Sequence, residues 1–357
     1  MQLELRVEQV RHEHIDSYAR LSQEEYGTSA AVSQTGHLRW KFIENPQGPS
    51  IGVHLYKGEQ LVGRMVALAR QFSHRGKVYK AGHIVDFLVH PNNRGMPALL
   101  QLAQGLKQLS GFDLLLIIAP NQAGAAVWEK FVKMPGHFDL NVAVAPIRPI
   151  ALLQSTGKIR NWRVAPVLDW PFRRLGDVAT KLLNSLSKVT YDLQWPEPEE
   201  LNRMLSADWA DRVIGVRTFD YLNWRYRGSP VFRYQVFFLR QKGNLIGYFV
   251  TRQTKYDGVN CFFLVDAFGS PQSTNSAWRT AARFAVSLAS ERHAEMAMIL
   301  GNSSFGPLAA ANSFPFITVP PRLLPRKTTV YAQWTSSSCF DIRRDNFYMT
   351  LGDSDVI

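Results

Sequence analysis

Cysteine is scarce. Two residues in 357, Cys261 and Cys339, exclude a disulfide framework and a cysteine-based zinc site. So few thiols fit a reducing compartment. Acidic side chains are also short, 29 Asp and Glu against 41 Lys and Arg, for a formal net charge of +12. A surplus of this sign points to an anionic partner: a phosphorylated cofactor, a nucleic acid, an acidic polymer or a membrane face. Long apolar runs are missing. The longest, Leu114 to Ala119, is far below the roughly 18 residues of a membrane span and suits a buried strand. Glu4 and Arg6 break the first segment, so no secretory leader is expected there and a cytoplasmic location is. What is plentiful is apolar and aromatic: 46% hydrophobic residues, with 21 Phe, 12 Tyr and 9 Trp. Such a chain must bury a core, which rules out disorder.

The chain repeats itself. His37-Leu38-Arg39-Trp40-Lys41-Phe42 returns as Tyr221-Leu222-Asn223-Trp224-Arg225-Tyr226, and Leu61-Val62-Gly63 as Leu245-Ile246-Gly247. Ile84-Val85-Asp86-Phe87, with Pro91 after it, returns as Leu264-Val265-Asp266-Ala267, with Pro271 after it. Asn121 returns as Asn302, each following an apolar run. Ordered matches at a nearly constant offset mean two copies of one unit. Each copy reads as hairpin strands, a further strand, an amphipathic helix (97–109 and about 275–290) and a buried strand, with a second helix at 123–132 in the first. That order is an α/β layer design. The expected division is an N-terminal unit 1–147, a basic aromatic insert 148–197 and a C-terminal unit 198–357. Within 148–188, eight basic residues face two acidic ones, with Trp162, Trp170 and Phe172 interleaved. The stretch reads either as a solvated linker or as a dock for an anionic membrane face.

Val85-Asp86-Phe87-Leu88-Val89-His90-Pro91-Asn92-Asn93-Arg94-Gly95 resembles the segment of GNAT acyltransferases in which a strand ends at V-x-P and an Arg-Gly loop opens the next helix. The resemblance covers roughly 30–140 and 215–320. It implies two tandem GNAT-like domains, each a mixed, mostly antiparallel sheet flanked by helices, and an acyl-CoA co-substrate such as acetyl-CoA. The cofactor-binding positions it implies are Leu88, Val89, Arg94, Gly95, Met96, Ala98 and Asn121. A helix N-terminus holds phosphate by its unpaired N–H groups and dipole, and Arg94 adds a charge-assisted contact. The family pattern Arg/Gln-x-x-Gly-x-Gly/Ala is incomplete, because Pro97 and Leu99 stand where small residues belong. The second copy has Ser270 to Asn275 there and no Arg-Gly, so no cofactor site is expected in it.

Acyl transfer needs an acceptor proton removed, a carbonyl polarised and a thiolate released. The resemblance implies Asp86 as the base, although Asp266 recurs in the copy without the loop, which equally fits a structural role for both. His83, three residues earlier on the same strand, is expected on the opposite face. Trp128 occupies the family's tyrosine-acid position and cannot donate a proton there, so the usual acid is either missing or supplied elsewhere, for instance by Tyr26. Asn121 reads either as a contact to the pantetheine arm or as a helix cap. Trp40 and Trp224 read as core residues or as stacking platforms. No metal site is expected. The Gly352-Asp353-Ser354-Asp355 tail is expected to be solvated; it resembles the ends of tandem GNAT-like proteins of polysaccharide gene clusters.

The functional expectation is therefore an acyl-CoA-dependent N- or O-acyltransferase. Its acceptor would be a small amine or a sugar, in surface polysaccharide synthesis on that resemblance. Two alternatives stand beside it: a Fem-type transferase using aminoacyl-tRNA, and a non-catalytic protein binding an anionic ligand or a membrane surface.

Overall fold

The computed structural model describes residues 2–118, 120, 122–157, 169, 188–206, 209–271, 273–311, 315–324, 328–335 and 340–354. Asn121, Cys339 and most of the basic insert, including Trp162, Trp170 and Phe172, lie outside the described residues. Among the described residues, no helix is long and apolar enough to cross a membrane.

The first copy opens with β1 (Leu3–Gln9), α1 (His12–Tyr26) and a helix that the periodicity did not announce, α2 (Thr35–Phe42). The hairpin strands β2 (Ile51–Lys57), β3 (Gln60–His74) and β4 (Lys77–Val89) follow. Helix α3 (Met96–Leu106), strand β5 (Leu114–Ile118) and α4 (Gln122–Val127) complete this stretch. Pro97 sits in the first turn of α3, where a missing N–H costs nothing. Its buried residues Ala98, Leu102 and Leu106 face the sheet. Gly105 permits this close approach, since a Cβ there would stand 2.3 Å from Val53 Cγ1.

Two short strands come next, β6 (Gly136–Asp139) and β7 (Asn141–Pro146), then β8 (Val189–Asp192) within the expected insert and β9 (Ile214–Gly215) after it. The second copy repeats the hairpin design as β10 (Gln235–Gln241), β11 (Asn244–Tyr256) and β12 (Val259–Gly269). A helix, Thr274–Glu291, leads to β13 (Met296–Gly301), β14 (Ile317–Thr318) and β15 (Thr329–Trp334).

The first sheet runs β1-β2-β3-β4-β5-β15-β6, with β9 on β3; the second runs β14-β7-β13-β12-β11-β10-β8. Both are antiparallel except at one step, β4 with β5 and β12 with β13. This is the tandem mixed-sheet architecture the sequence implies. The copies also trade strands. β7 leaves the first copy to pair with β13, and β15 returns from the second to pair with β5. Sheet membership therefore does not follow the sequence boundaries at 147 and 198. The exchange is reciprocal, as a pseudo-two-fold relation between the copies requires.

The C-terminal tail corrects an expectation. Thr350, Asp353 and Ser354 are buried, not solvated. The Asp353 carboxylate bridges Arg70 of the first copy at 2.9 Å and Arg217 of the second at 3.0 Å. Burial alone would raise its pKa, but those two guanidiniums hold it below the ordinary value.

Candidate active site

The site starts from an irregularity in β4. Val66 pairs with Val85 and Arg64 with Leu88, so Asp86 and Phe87 stand against Met65 alone. This is a β-bulge, with Asp86 in the left-handed region at φ +52°. Pairing between β4 and β5 ends at His83 and Leu116. Beyond that point the two parallel strands part, and a cavity of about 600 Å³ opens between them. Its size suits a small-molecule site, about 300–1,000 Å³.

The cavity joins the two faces of the sheet. Phe87, Val89, Leu99, Ile117 and Trp128 border it and belong to the core under α3. Val85, Leu88 and Ile118 border it and belong to the cores on the other face. Arg94, Gly95, Glu25 and Tyr26 form part of its rim.

Asp86 borders the cavity, but both of its oxygens are engaged. Lys41 Nζ lies 2.8 Å from Oδ1 and Arg64 Nη2 3.0 Å from Oδ2, all three side chains buried. Burial opposes ionisation, yet the two cations prevail and hold the carboxyl at about 2. A carboxylate so acidic has little affinity for a proton, so the geometry favours the structural reading of Asp86 over the base. The copy-two carboxylate is also engaged by hydrogen bonds. Asp266 is held by Arg217, Tyr226, Tyr248 and Thr350 at 2.7–3.2 Å.

His83 is not excluded from the cleft, contrary to the strict two-residue alternation. It borders the cavity together with Asp86, because the bulge resets the side-chain alternation after Val85. The imidazole is 2% exposed.

At the rim, the Arg94 guanidinium donates to the Val89 carbonyl at 3.2 Å and pairs with Glu25. Gly95 caps α3 in extended backbone. Leu88 and Val89 are buried along the wall. Met96 is half exposed, and Ala98 is packed in the core under the helix; neither side chain borders the cavity. Tyr26 is half exposed at the mouth. Burial first, then the negative charges of Asp86 and Glu25, raise its pKa, so the phenol stays protonated at neutral pH. Trp128 is buried, edge-on to Phe87 with centroids 5.4 Å apart. Tyr26 is the one phenol among the described residues lining the cavity.

Sequence reasoning missed Lys41, Arg64 and Glu25. A signal existed for Lys41, since a cation follows the tryptophan in both copies. Another existed for Arg64, a charge inside the apolar run of β3. Glu25 lies on an exposed helix end and carried none.

One further cluster of possible ligands lies apart from the cavity: Glu8, His14 and His54. Its hydrogen bonds close without a metal. Tyr18 Oη lies 2.5 Å from His54 Nε2, and His54 Nδ1 lies 3.2 Å from Glu8. His14 Nδ1 accepts from the Arg11 N–H at 2.9 Å, which leaves its Nε2 as an N–H facing Glu8 at 3.6 Å. That nitrogen has no lone pair to offer.

No curated protein matches the chain. Residues 6–109 match the acetyltransferase (GNAT) domain family. Among solved structures, the chain resembles a conserved Enterococcus faecalis protein of unknown function, described as a probable N-acyltransferase. The TM-score is 0.57 at 13% identity, covering 93% of this chain and 72% of that one. An N-acetyltransferase from Anabaena variabilis gives a TM-score of 0.57 at 10% identity, with coverage of 93% and 73%. The N-myristoyltransferase of Saccharomyces cerevisiae, solved with myristoyl-CoA and inhibitors, gives 0.52 at 12% identity, with coverage of 92% and 79%. At these identities the structural likeness speaks for the fold, and the domain match for residues 6–109. On the two together, residues 6–109 carry a match to the acetyltransferase (GNAT) domain, within a chain whose fold is shared with N-acyltransferases of that type.

Proposed function

We propose that the first copy transfers an acyl group from acyl-CoA to a small amine or sugar hydroxyl. The observation that carries this reading is the cavity through the sheet, with Arg94 and the start of α3 at its rim. The pyrophosphate would lie against Arg94 and the first N–H groups of α3, at Gly95, Met96 and Ala98. The pantetheine arm would run along the backbone of Leu88 and Val89 into the gap between β4 and β5. The thioester would then face the other side of the sheet, where the acceptor enters. Tyr26, protonated at the mouth, is the proposed donor to the leaving thiolate. Acetyl-CoA is the simplest donor for this space, and an acceptor in surface polysaccharide synthesis is the finer form of the same proposal.

The second copy takes no CoA in this reading. The tail lies over Asp266, with Gly352 packed against that side chain and Asn302 donating to the Phe347 carbonyl at 2.9 Å. The chain thus packs its own tail beside the equivalent residue.

Calorimetric titration with acetyl-CoA tests the proposal. Micromolar binding that Arg94→Glu removes, with the fold retained, supports it. An Arg94→Glu protein that binds as well as wild type places the cofactor elsewhere.

A further inference from the structure

Asp86 has both oxygens committed to cations, so the proton that leaves the acceptor needs another destination. The imidazole of His83 meets the requirements of position. It sits on β4 at the last residue paired with β5, where the gap begins. It shares its sheet face with Ala81 and Val85, the face turned away from α3. A CoA arm entering from the α3 side therefore presents its thioester toward His83. The residue is 2% exposed and borders the cavity. A buried imidazole gives up solvation, and a ligand in the cavity that hydrogen-bonds to it would restore what burial removes.

From this geometry we propose that His83 is the general base of the acyl transfer, a reading that rests on the acyl-CoA function above. An unprotonated ring nitrogen accepts the acceptor's N–H or O–H proton. The acceptor's lone pair forms the bond to the acyl carbon, the C–S bond breaks, and the electron pair leaves on the CoA sulfur. The thiolate takes its proton from Tyr26, and the proton held by His83 returns to the phenolate through solvent, so protons and electrons balance. The charged groups around His83 are Arg70 on β3, Lys41 on α2, Arg225 beside Trp224, and Asp353 of the tail. Burial, with the three cations, holds the imidazole well below its ordinary range, while Asp353 works the other way. It therefore stands unprotonated at neutral pH, the form in which a base must begin.

The test uses the full chain as wild type, His83→Gln and His83→Ala. Acetyl-CoA affinity is measured by calorimetry, and thioester cleavage in single turnover by thiol release. Water serves as the acceptor, and a panel of primary amines is run alongside. The expected result is acetyl-CoA affinity within about twofold of wild type in both variants, with the cleavage rate down by about 10²–10⁴-fold. Added imidazole restores rate to His83→Ala and not to His83→Gln, whose side chain still fills the space. A positional role alone would not respond to imidazole. Bound acetyl-CoA that is cleaved no faster by wild type than by His83→Ala overturns the proposal. Failure of wild type to bind acetyl-CoA overturns the function on which it rests.

Discussion

The indole N–H of Trp40 donates to the backbone carbonyl of Trp224 at 2.8 Å, and the indole N–H of Trp224 donates to the carbonyl of Trp40 at 2.9 Å. The rings stack with centroids 5.0 Å apart. Such reciprocity is what a pseudo-two-fold relation produces at its axis. It resolves the choice left by the sequence: these are core residues that join the copies, and each satisfies the other. Trp40→Phe removes one donor and leaves a buried carbonyl unpaired, at a cost of about 1–3 kcal/mol. Trp40→Ala also loses the stack and leaves a cavity, for about 3–5 kcal/mol. Urea denaturation of Trp40→Phe, Trp224→Phe and the double variant measures this. Fully additive losses would contradict the mutual bond, because residues in contact couple by about 0.5–3 kcal/mol.

The tail predicts a second set of outcomes. A Cβ at Gly352 would lie 2.3 Å from Tyr226 Oη and 3.1 Å from Asp266 Cβ. Gly352→Ala must move a buried tyrosine or the tail, at a cost of about 1–3 kcal/mol. Asp353→Asn leaves Arg70 and Arg217 without their shared carboxylate. Breaking one side of a buried ion pair costs about 3–5 kcal/mol. Both variants should unfold at lower urea than wild type. Wild-type midpoints would mean that the tail is not part of the folded core.

Glu25 pairs with Arg94, the guanidinium to which the proposed function assigns the pyrophosphate. Arg94 is half exposed and Glu25 less so, so their pair is worth about 0.2–1 kcal/mol. Phosphate binding must displace that contact and also bring negative charge near the carboxylate. Glu25→Gln therefore tightens CoA binding by about two- to fivefold, and the gain shrinks at high salt as the charge is screened. Calorimetry with CoA at two ionic strengths reads both effects. Weaker binding in Glu25→Gln would show that Glu25 helps hold the ligand.

Much of this was legible because it is local. Leu114 to Ile118 reads as a buried strand from its run of five apolar residues. The Gly58 and Gly243 turns fix their hairpins through positive φ. The repeat itself revealed the architecture. What was hidden is long-range. No periodicity in Asn141–Pro146 or Thr329–Trp334 says that each pairs in the other copy's sheet. The tail looked polar, hence solvated, because its partners Arg70 and Arg217 are remote in sequence. His83 was set on the wrong side because strand alternation holds only without a bulge, and Asp86 reads as an ordinary strand residue until its φ is seen.

The buried histidines predict how stability depends on pH. Burial holds His54 and His37 at about 4, below the ordinary 6.5; Arg64 and His14 add to this at His54, and Lys41 at His37. In the unfolded chain both titrate near 6.5. Between about pH 6.5 and 4 the unfolded state therefore binds protons that the folded state refuses, and stability falls as the pH drops through that window. Each imidazole contributes on the order of 3 kcal/mol to the fall. Asp86 acts lower down. Its carboxyl is held at about 2 against an ordinary 3.8, so its contribution is complete above pH 4 and is lost as the pH falls toward 2, at about 2 kcal/mol. Urea midpoints at pH 7.5, 5.5 and 4 should decline steadily. His54→Asn should begin from lower stability, having lost its bonds to Tyr18 and Glu8, and yet decline less steeply. An equal slope in that variant would mean that His54 is already protonated in the folded protein.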